Sequence, residues 1–473
     1  MGASKFNNVK TNTVWAFATL MIVAVAGNSL CVSAHALDTA AGWRMDGEGY
    51  FPNATPPTEW SKTKNVIWST PMTAWSNASP VLMGGMLYFC AEPESLLCAD
   101  AATGKVVWEK TNTLKEAASP DELVKIEAAE KDGEPIQQEI QKLQVEGREL
   151  HKQMQQAPSD DLKAKMEAGK AKMTELKAKL EPMAAYLPPK KHETNGYSSS
   201  TPVTDGKNVF GVFGNGVVGC YSTKGDRVWI RHIENPTEQW GHSTSPVLSG
   251  DKLFVQIVDL YALDAATGKT LWTAKAKDAW GTPIEVKLGD TPSLLTPAGD
   301  LVRISDGHVM ATKIARDTYC SPIVRDGIAY YFDEEARTAV KLPTAAADTV
   351  TPEILWSIKV HMDRYYSSPV LHDGLLYAVH QKGMFSVVDA KTGAAVYEKP
   401  LELGGTMYPS VTMAGKYLYV ASDNGATLVL QPGNEYKEIA RNTLEPGRAT
   451  PVFEGKRIYI RSYKTLFCVG DAP

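Results

Sequence analysis

Cysteine is scarce: six in 473 residues, none next to another and none in a Cys-x-x-Cys or Cys-x-x-Cys-His arrangement. That excludes a zinc knuckle and covalently attached haem. Beyond Cys31 five remain, Cys90, Cys98, Cys220, Cys320 and Cys468, and an odd number excludes a complete disulfide framework. Cys90 and Cys98 flank a tight turn around Pro93 on strands that should pair. A cross-strand disulfide and two small buried thiols are both open there. Positive charge is also short. Lys and Arg total 49 against 54 Asp and Glu, a formal net charge of -5, and no basic stripe with interleaved aromatics occurs. Nucleic acid is thereby excluded as a partner, and so is a strongly anionic membrane surface. There is no Gly-x-Ser-x-Gly elbow, phosphate loop or metal-binding His pair, and His361, His372 and His380 lack ligand spacing.

Long apolar runs are missing too. The longest, Val14 to Gly27, has fourteen residues, short of the roughly 20 that span a bilayer. Lys5 and Lys10 precede it and Ala34-His35-Ala36 follows, so residues 1–36 read as an export signal cleaved after Ala36. Leu30 directly before Cys31 does not suit a lipoprotein signal. The expected product is exported to the periplasm or cell envelope, soluble and not integral to the membrane once processed. A retained anchor is the alternative.

What the chain has in abundance is one phrase. Asp264-Ala265-Ala266-Thr267-Gly268-Lys269 with Trp272 recurs as Asp100-Ala101-Ala102-Thr103-Gly104-Lys105 with Trp108. Weaker copies are Asp389-Ala390-Lys391-Thr392-Gly393 with Tyr397 and Ser222-Thr223-Lys224-Gly225 with Trp229. Ahead of each lies a Ser/Thr-Pro and a strand-like run. Counting from the prolines gives Pro80, Pro202, Pro246, Pro283, Pro322, Pro369, Pro409 and Pro451, spaced by 44, 37, 39, 47, 40 and 42 after Pro202. A period near forty built of strands and turns means a radial array of four-stranded blades. The first gap, 122 residues, holds an insertion of about eighty; without it eight units remain. The last unit is one strand short, and Val66–Thr70, which reads like a fourth strand with nothing before it, is expected to complete it. Closing the ring in this way removes a free sheet edge.

The insertion changes chemistry. Ile136, Ile140, Leu143, Gly147, Leu150 and Met154 follow 4-3 spacing, as do Leu162, Met166, Gly169, Met173, Leu176, Leu180 and Met183. This is the a/d pattern of an antiparallel coiled-coil hairpin, with two helices of about twenty residues and a length of roughly 30 Å. Ala157-Pro158 ends the first helix and Ser159 caps the second. The first helix is acid-leaning (Glu134, Glu139, Glu146, Glu149) and the second is rich in lysine (Lys163, Lys165, Lys170, Lys172, Lys177, Lys179), so opposite charges should flank the seam. The domain plan is a signal peptide 1–36, an extended segment 37–64, a closing strand and blade one 65–111, a helical insertion 112–192, and blades two to eight 193–473.

The Asp-Ala-x-Thr-Gly-Lys-x-x-Trp phrase resembles the tryptophan-docking repeat of the PQQ-type eight-bladed propellers, the superfamily of the quinoprotein dehydrogenases and the BamB-like assembly propellers. The resemblance covers residues 42–111 and 193–473. It implies an all-β fold with a structural girdle of Trp68, Trp108, Trp229, Trp272 and Trp356, with Tyr397 substituting. Blade four lacks the tryptophan, and blade seven offers only Tyr436. Two departures weigh against a quinoprotein dehydrogenase: the adjacent cysteine pair of those enzymes is missing, and no residue matches their calcium-holding set.

Loops leading into the innermost strands of a propeller converge on its channel mouth. Here they carry Trp75, Asn77, Tyr197, Trp240, His242, Trp280, Tyr319, Arg364, Tyr366, Tyr408 and Arg448. A concave aromatic mouth with a few polar groups is the usual form of a ligand site, for a small molecule or sugar here; the other reading is that these groups plug the channel. No catalytic residue, metal ligand or cofactor is assigned. The expectation is an exported, non-catalytic propeller that acts as a binding or assembly scaffold, with a protein partner on the hairpin. The alternatives are a PQQ-dependent oxidoreductase with a divergent, calcium-holding site, and a carbohydrate-binding or -processing propeller. The last, as an enzyme, needs paired carboxylates at the mouth.

Overall fold

The repeated phrase builds the same turn wherever it occurs. The Asp264 carboxylate accepts the Thr267 N–H at 2.8 Å and the Thr267 hydroxyl at 2.6 Å, and Asp100 and Asp389 hold Thr103 and Thr392 in the same way. This closes the loop between the third and fourth strands of a blade. In the computed structural model, which describes residues 1–2, 40–237, 240–277, 279–360 and 363–471, these turns recur around a ring of eight antiparallel four-stranded sheets. The segment expected to direct export, the expected cleavage site near Ala36, Cys31 and His361 lie outside the described residues.

Blade one comprises Val81–Met83, Met86–Ala91, Ser95–Asp100 and Val106–Thr111. Blade eight has Val452–Glu454, Arg457–Arg461 and Thr465–Val469, and its outer strand is the N-terminal Val66–Pro71, antiparallel to the last of these. The closing strand is where the sequence placed it. Blade seven carries a fifth strand, Tyr50–Phe51, parallel to its innermost strand Thr412–Ala414.

Neighbouring blades are fastened on the outside by tryptophan. Trp68, Trp108, Trp229, Trp272 and Trp356 each donate the indole N–H to a carbonyl in the turn of the next blade, at 2.9–3.2 Å. Each ring also lies on the turn glycine. Gly268 has φ +68°, and a Cβ there would come within 2.7 Å of the Trp229 ring, so only glycine accepts both the conformation and the contact. Tyr397 occupies the same register position, opposite Val387, without such a hydrogen bond among the described residues. Tyr436 does not: in blade seven that position, opposite Val429, belongs to Ala440. Cys98, Cys220 and Cys468 sit opposite Trp108, Trp229 and Trp68, where a small buried side chain leaves room for the indole. All five described cysteines are free. Cys90 faces Leu96 and Cys98 faces Tyr88, so these two thiols are out of register with one another.

The insertion is a helical hairpin with an unequal pair of arms. A short α1 (Leu114–Ala117) leads into α2 (Pro120–Gln156), and α3 (Asp160–Leu180) returns through a 3-10 turn at Glu181–Tyr186. At 37 residues α2 is nearly twice the expected length, about 55 Å long. Pro135 does not end it. The proline withholds one backbone donor, and burial of Ile126, Ala129 and Gly133 against the rest of the chain offsets that loss. Ser159 caps α3 by accepting the Leu162 N–H. The thirteen seam residues named from the sequence are all buried or half-buried, and Leu176 and Ile140 are the most covered. Charge pairing runs differently from expectation. Along the two arms the ion pairs among the described residues lie within α2 or within α3, as in Lys142–Glu139, Lys165–Asp161 and Lys179–Glu175, because three- and four-residue spacing brings partners together on one face. No helix among the described residues is long and apolar enough to cross a membrane.

Candidate functional site

At the start of each innermost strand stands a serine or threonine: Ser79, Thr201, Ser245, Thr282, Ser321, Ser368, Ser410 and Thr450. Each hydroxyl accepts the backbone N–H of its counterpart in the preceding blade, at 2.7–3.2 Å, and the bond from Thr450 to Ser79 closes the circle. In seven blades proline follows, which holds the preceding residue extended. Blade seven departs from the count made on the prolines. Pro409 precedes Ser410, and Val411 stands in the proline position. The N–H that Val411 retains bonds back to the Ser367 hydroxyl in blade six.

One end of the channel is shut by the segment before the first blade. Ala41 pairs with Thr204 of blade two, and three residues later Arg44 donates to the carbonyls of Pro369 in blade six and Val411 in blade seven, at 2.8 and 2.7 Å. Blades two and six are opposite in a ring of eight, so Ala41–Arg44 crosses the axis. Arg44 and Met45 turn through left-handed backbone, φ +52° and +68°, to do so. The Arg44 guanidinium lies against Gly49, is fully buried, and has its pKa pulled down to about 10 by loss of solvent. Its Nε and Nη1 find no hydrogen-bond partner among the described residues.

Above this crossing lies a cup of about 340 Å³, lined by Trp43, by all eight ring hydroxyls and by an aromatic wall. Trp280 stacks on Tyr319, Tyr319 meets Tyr366 edge-on, and Tyr366 lies parallel to Tyr408 with centroids 4.7 Å apart. The Arg448 guanidinium covers the Tyr408 ring at 3.8 Å, and Arg364 lies over Tyr319 at 5.2 Å. Across the mouth, Trp240 is 55% exposed beside His192. Among the described lining residues the arginines are these two, and there is no Asp or Glu.

Eight of the eleven channel-mouth residues named from the sequence line the cup: Asn77, Trp240, Trp280, Tyr319, Arg364, Tyr366, Tyr408 and Arg448. Three do not. Trp75 packs edge-on against Tyr463. The Tyr197 hydroxyl donates to the Pro189 carbonyl. His242 is buried between the Gln256 carbonyl and the Ser200 hydroxyl, and burial pushes its pKa down, so it is held neutral. Sequence reasoning missed Trp43, whose signal was an aromatic beside an arginine in a Gly-rich leader. It also missed His192, Thr194 and Asn195, which the returning end of the helical insertion delivers to the rim.

That return is pinned by Glu92. Its buried carboxylate accepts the Tyr197 and Ser198 N–H groups and the Ser198 hydroxyl, each at 2.7 Å, and pairs with Lys191 at 3.2 Å. Glu94, half-buried beside it, has a pKa raised to about 7, first by burial and then by the Glu92 charge. Asn195 accepts from Arg448 at 3.3 Å, and Asn77 donates to the Thr194 carbonyl at 2.9 Å. The insertion and the cup therefore share one face of the ring.

Calcium takes six to eight oxygen ligands, several of them carboxylates. The donor-lined cup does not fit a calcium-held quinone, and no cluster of metal-ligating side chains occurs among the described residues.

Comparison with solved structures gives the fold. The chain is similar to BamB from Moraxella catarrhalis, with 11% identity, 86% of this chain and 97% of that one covered, and a TM-score of 0.54. A europium-containing methanol dehydrogenase matches at 11% identity over 89% of both chains, also with a TM-score of 0.54. A quinohemoprotein alcohol dehydrogenase from Pseudomonas putida matches at 10% identity, with 92% of this chain and 81% of that one covered and a TM-score of 0.54. At such identities the likeness concerns the fold alone, and it spans both assembly factors and enzymes. No curated protein matches the sequence significantly. The family described as outer membrane protein assembly factor BamB matches residues 58–133, 214–320 and 343–473, most of the repeat region, and the chain belongs to that family.

Proposed function

We propose that this protein is a non-catalytic binding and assembly module of the cell envelope, with the helical hairpin as its docking arm. The observation that carries the reading is the arm itself. Between Gln141 and Glu175 none of its residues is buried, and the half-covered ones are mainly the seam between its own two helices. Such a structure contributes nothing to closing the propeller, yet it is rooted by capping boxes at Thr113 and Ser119 and by an Arg227–Glu116 ion pair at 2.6 Å. The match to an assembly-factor family supports the same reading. The described lining of the cup holds no Asp or Glu, so the paired carboxylates of a glycosidase find no support there.

The test is site-specific crosslinking from the exposed far end of the arm, at Gln153 and Lys163, in intact envelope. One protein should be captured from both positions. The corresponding complex should disappear, with the melting temperature of the propeller kept, when residues 134–183 are replaced by a short glycine-serine linker. A complex that survives the replacement would contradict the reading.

A further inference from the structure

We propose that the cup is a binding site for an acidic saccharide, a sugar bearing a carboxylate or sulfate. The floor of the cup carries unspent hydrogen bonds. Each of the eight floor hydroxyls accepts one backbone N–H, and among the described residues none donates its own proton to a protein acceptor. A hydroxyl has one proton and two lone pairs. The floor therefore offers a ring of donors, each with one acceptor site left over. A polyhydroxylated body can match both, whereas a flat aromatic acid would leave most of them unmet.

The rim adds the charge preference. Arg448 is held flat on Tyr408 by stacking, with Nη1 donating to Asn195 on the rim and Nε turned toward Asp423. Arg364 stands in the same wall over Tyr319. Their acidic neighbours, Asp423 at 4.0 Å and Glu334 at 3.6 Å, are not part of the lining. A protein with net charge -5 thus presents a cup with two arginines and no carboxylate among its described lining residues. The exposed Trp240 face and Trp43 on the floor supply planes for the C–H face of a sugar ring. The crossing at Ala41–Arg44 makes the cup a dead end that holds a ligand rather than passing it.

The mature protein would be titrated, by calorimetry and tryptophan fluorescence, with digalacturonate, a sulfated galactose disaccharide, a neutral galactose disaccharide and sodium sulfate. At least one acidic disaccharide should saturate and bind roughly ten-fold or more tightly than the neutral one, the discrimination expected of charge-assisted hydrogen bonds. Arg448→Gln and Arg364→Gln should each remove most of that difference. Arg364 is half exposed, so its replacement tests the site even where Arg448→Gln disturbs folding. Three results would overturn the proposal: neither acidic sugar saturating, the neutral sugar binding as tightly, or sulfate alone matching the sugars. Unchanged affinity in Arg364→Gln with native melting would also count against it.

Discussion

The inner and outer fastenings of this ring follow different rules. Inside, every one of the eight blade junctions has its hydroxyl-to-backbone hydrogen bond. Outside, five junctions have a docked tryptophan and three do not, and each of those three is covered in another way. Where Ala440 stands in blade seven, Trp60 from the N-terminal segment stacks on Tyr419, which meets Phe453 of blade eight at 4.8 Å. Where blade four lacks its tryptophan, the loop before Glu353 folds over: Val350 donates to the Met310 carbonyl and Arg303 pairs with Asp348. Beside Tyr397, the Gly433 N–H bonds to the Tyr377 hydroxyl and Tyr436 packs under Lys399. The inner ring sits where blades converge and only a short polar link fits. The outer edge leaves a wedge that must be filled, and fillers of different chemistry serve.

That contrast can be broken at several points. Trp229→Ala should cost about 3–5 kcal/mol, the usual penalty for deleting a large buried aromatic, read as a fall in denaturation midpoint. Trp60→Ala should cost a similar amount although Trp60 is outside the repeat; a loss under about 1 kcal/mol would show that the junction between blades seven and eight needs no filler. Thr201→Val keeps the shape but strands the buried Ser79 N–H, so about 1–3 kcal/mol should be lost. Gly268→Ala, forced into left-handed backbone against Trp229, should cost about 1–2 kcal/mol from conformation alone. The smallest effect is at Glu94. Its folded pKa, near 7, lies above the usual carboxylate value, so its share of stability is complete below about pH 4.5 and is lost as pH rises toward 7. Glu94→Gln should flatten that part of the stability profile, measured by urea melts between pH 5 and 8.

The repeated phrase made the blades, the closing strand and the tryptophan girdle legible, because each depends on local turn chemistry and on residues at fixed spacing. Eight of the eleven channel-mouth residues named from the sequence do line the cup, for the same reason: they precede the innermost strands. Trp43 and Arg44 were not, since their place depends on where a leader without periodicity crosses the finished ring. Trp75, Tyr197 and His242 were misplaced because position before a strand does not fix which way a side chain turns. The length of α2 was underestimated because the 4-3 apolar pattern begins only at Ile136, while the helix base at Ile126, Ala129 and Gly133 is buried and helical from Pro120.

The most direct test of the central claim, that this propeller binds rather than catalyses, is a titration of the purified protein with PQQ and calcium, with tryptophan quenching and dye-linked oxidation of alcohols and sugars followed together. The account predicts no calcium-dependent saturation at micromolar cofactor and no turnover. Saturable, calcium-dependent binding with turnover would contradict it and make the cup an active site.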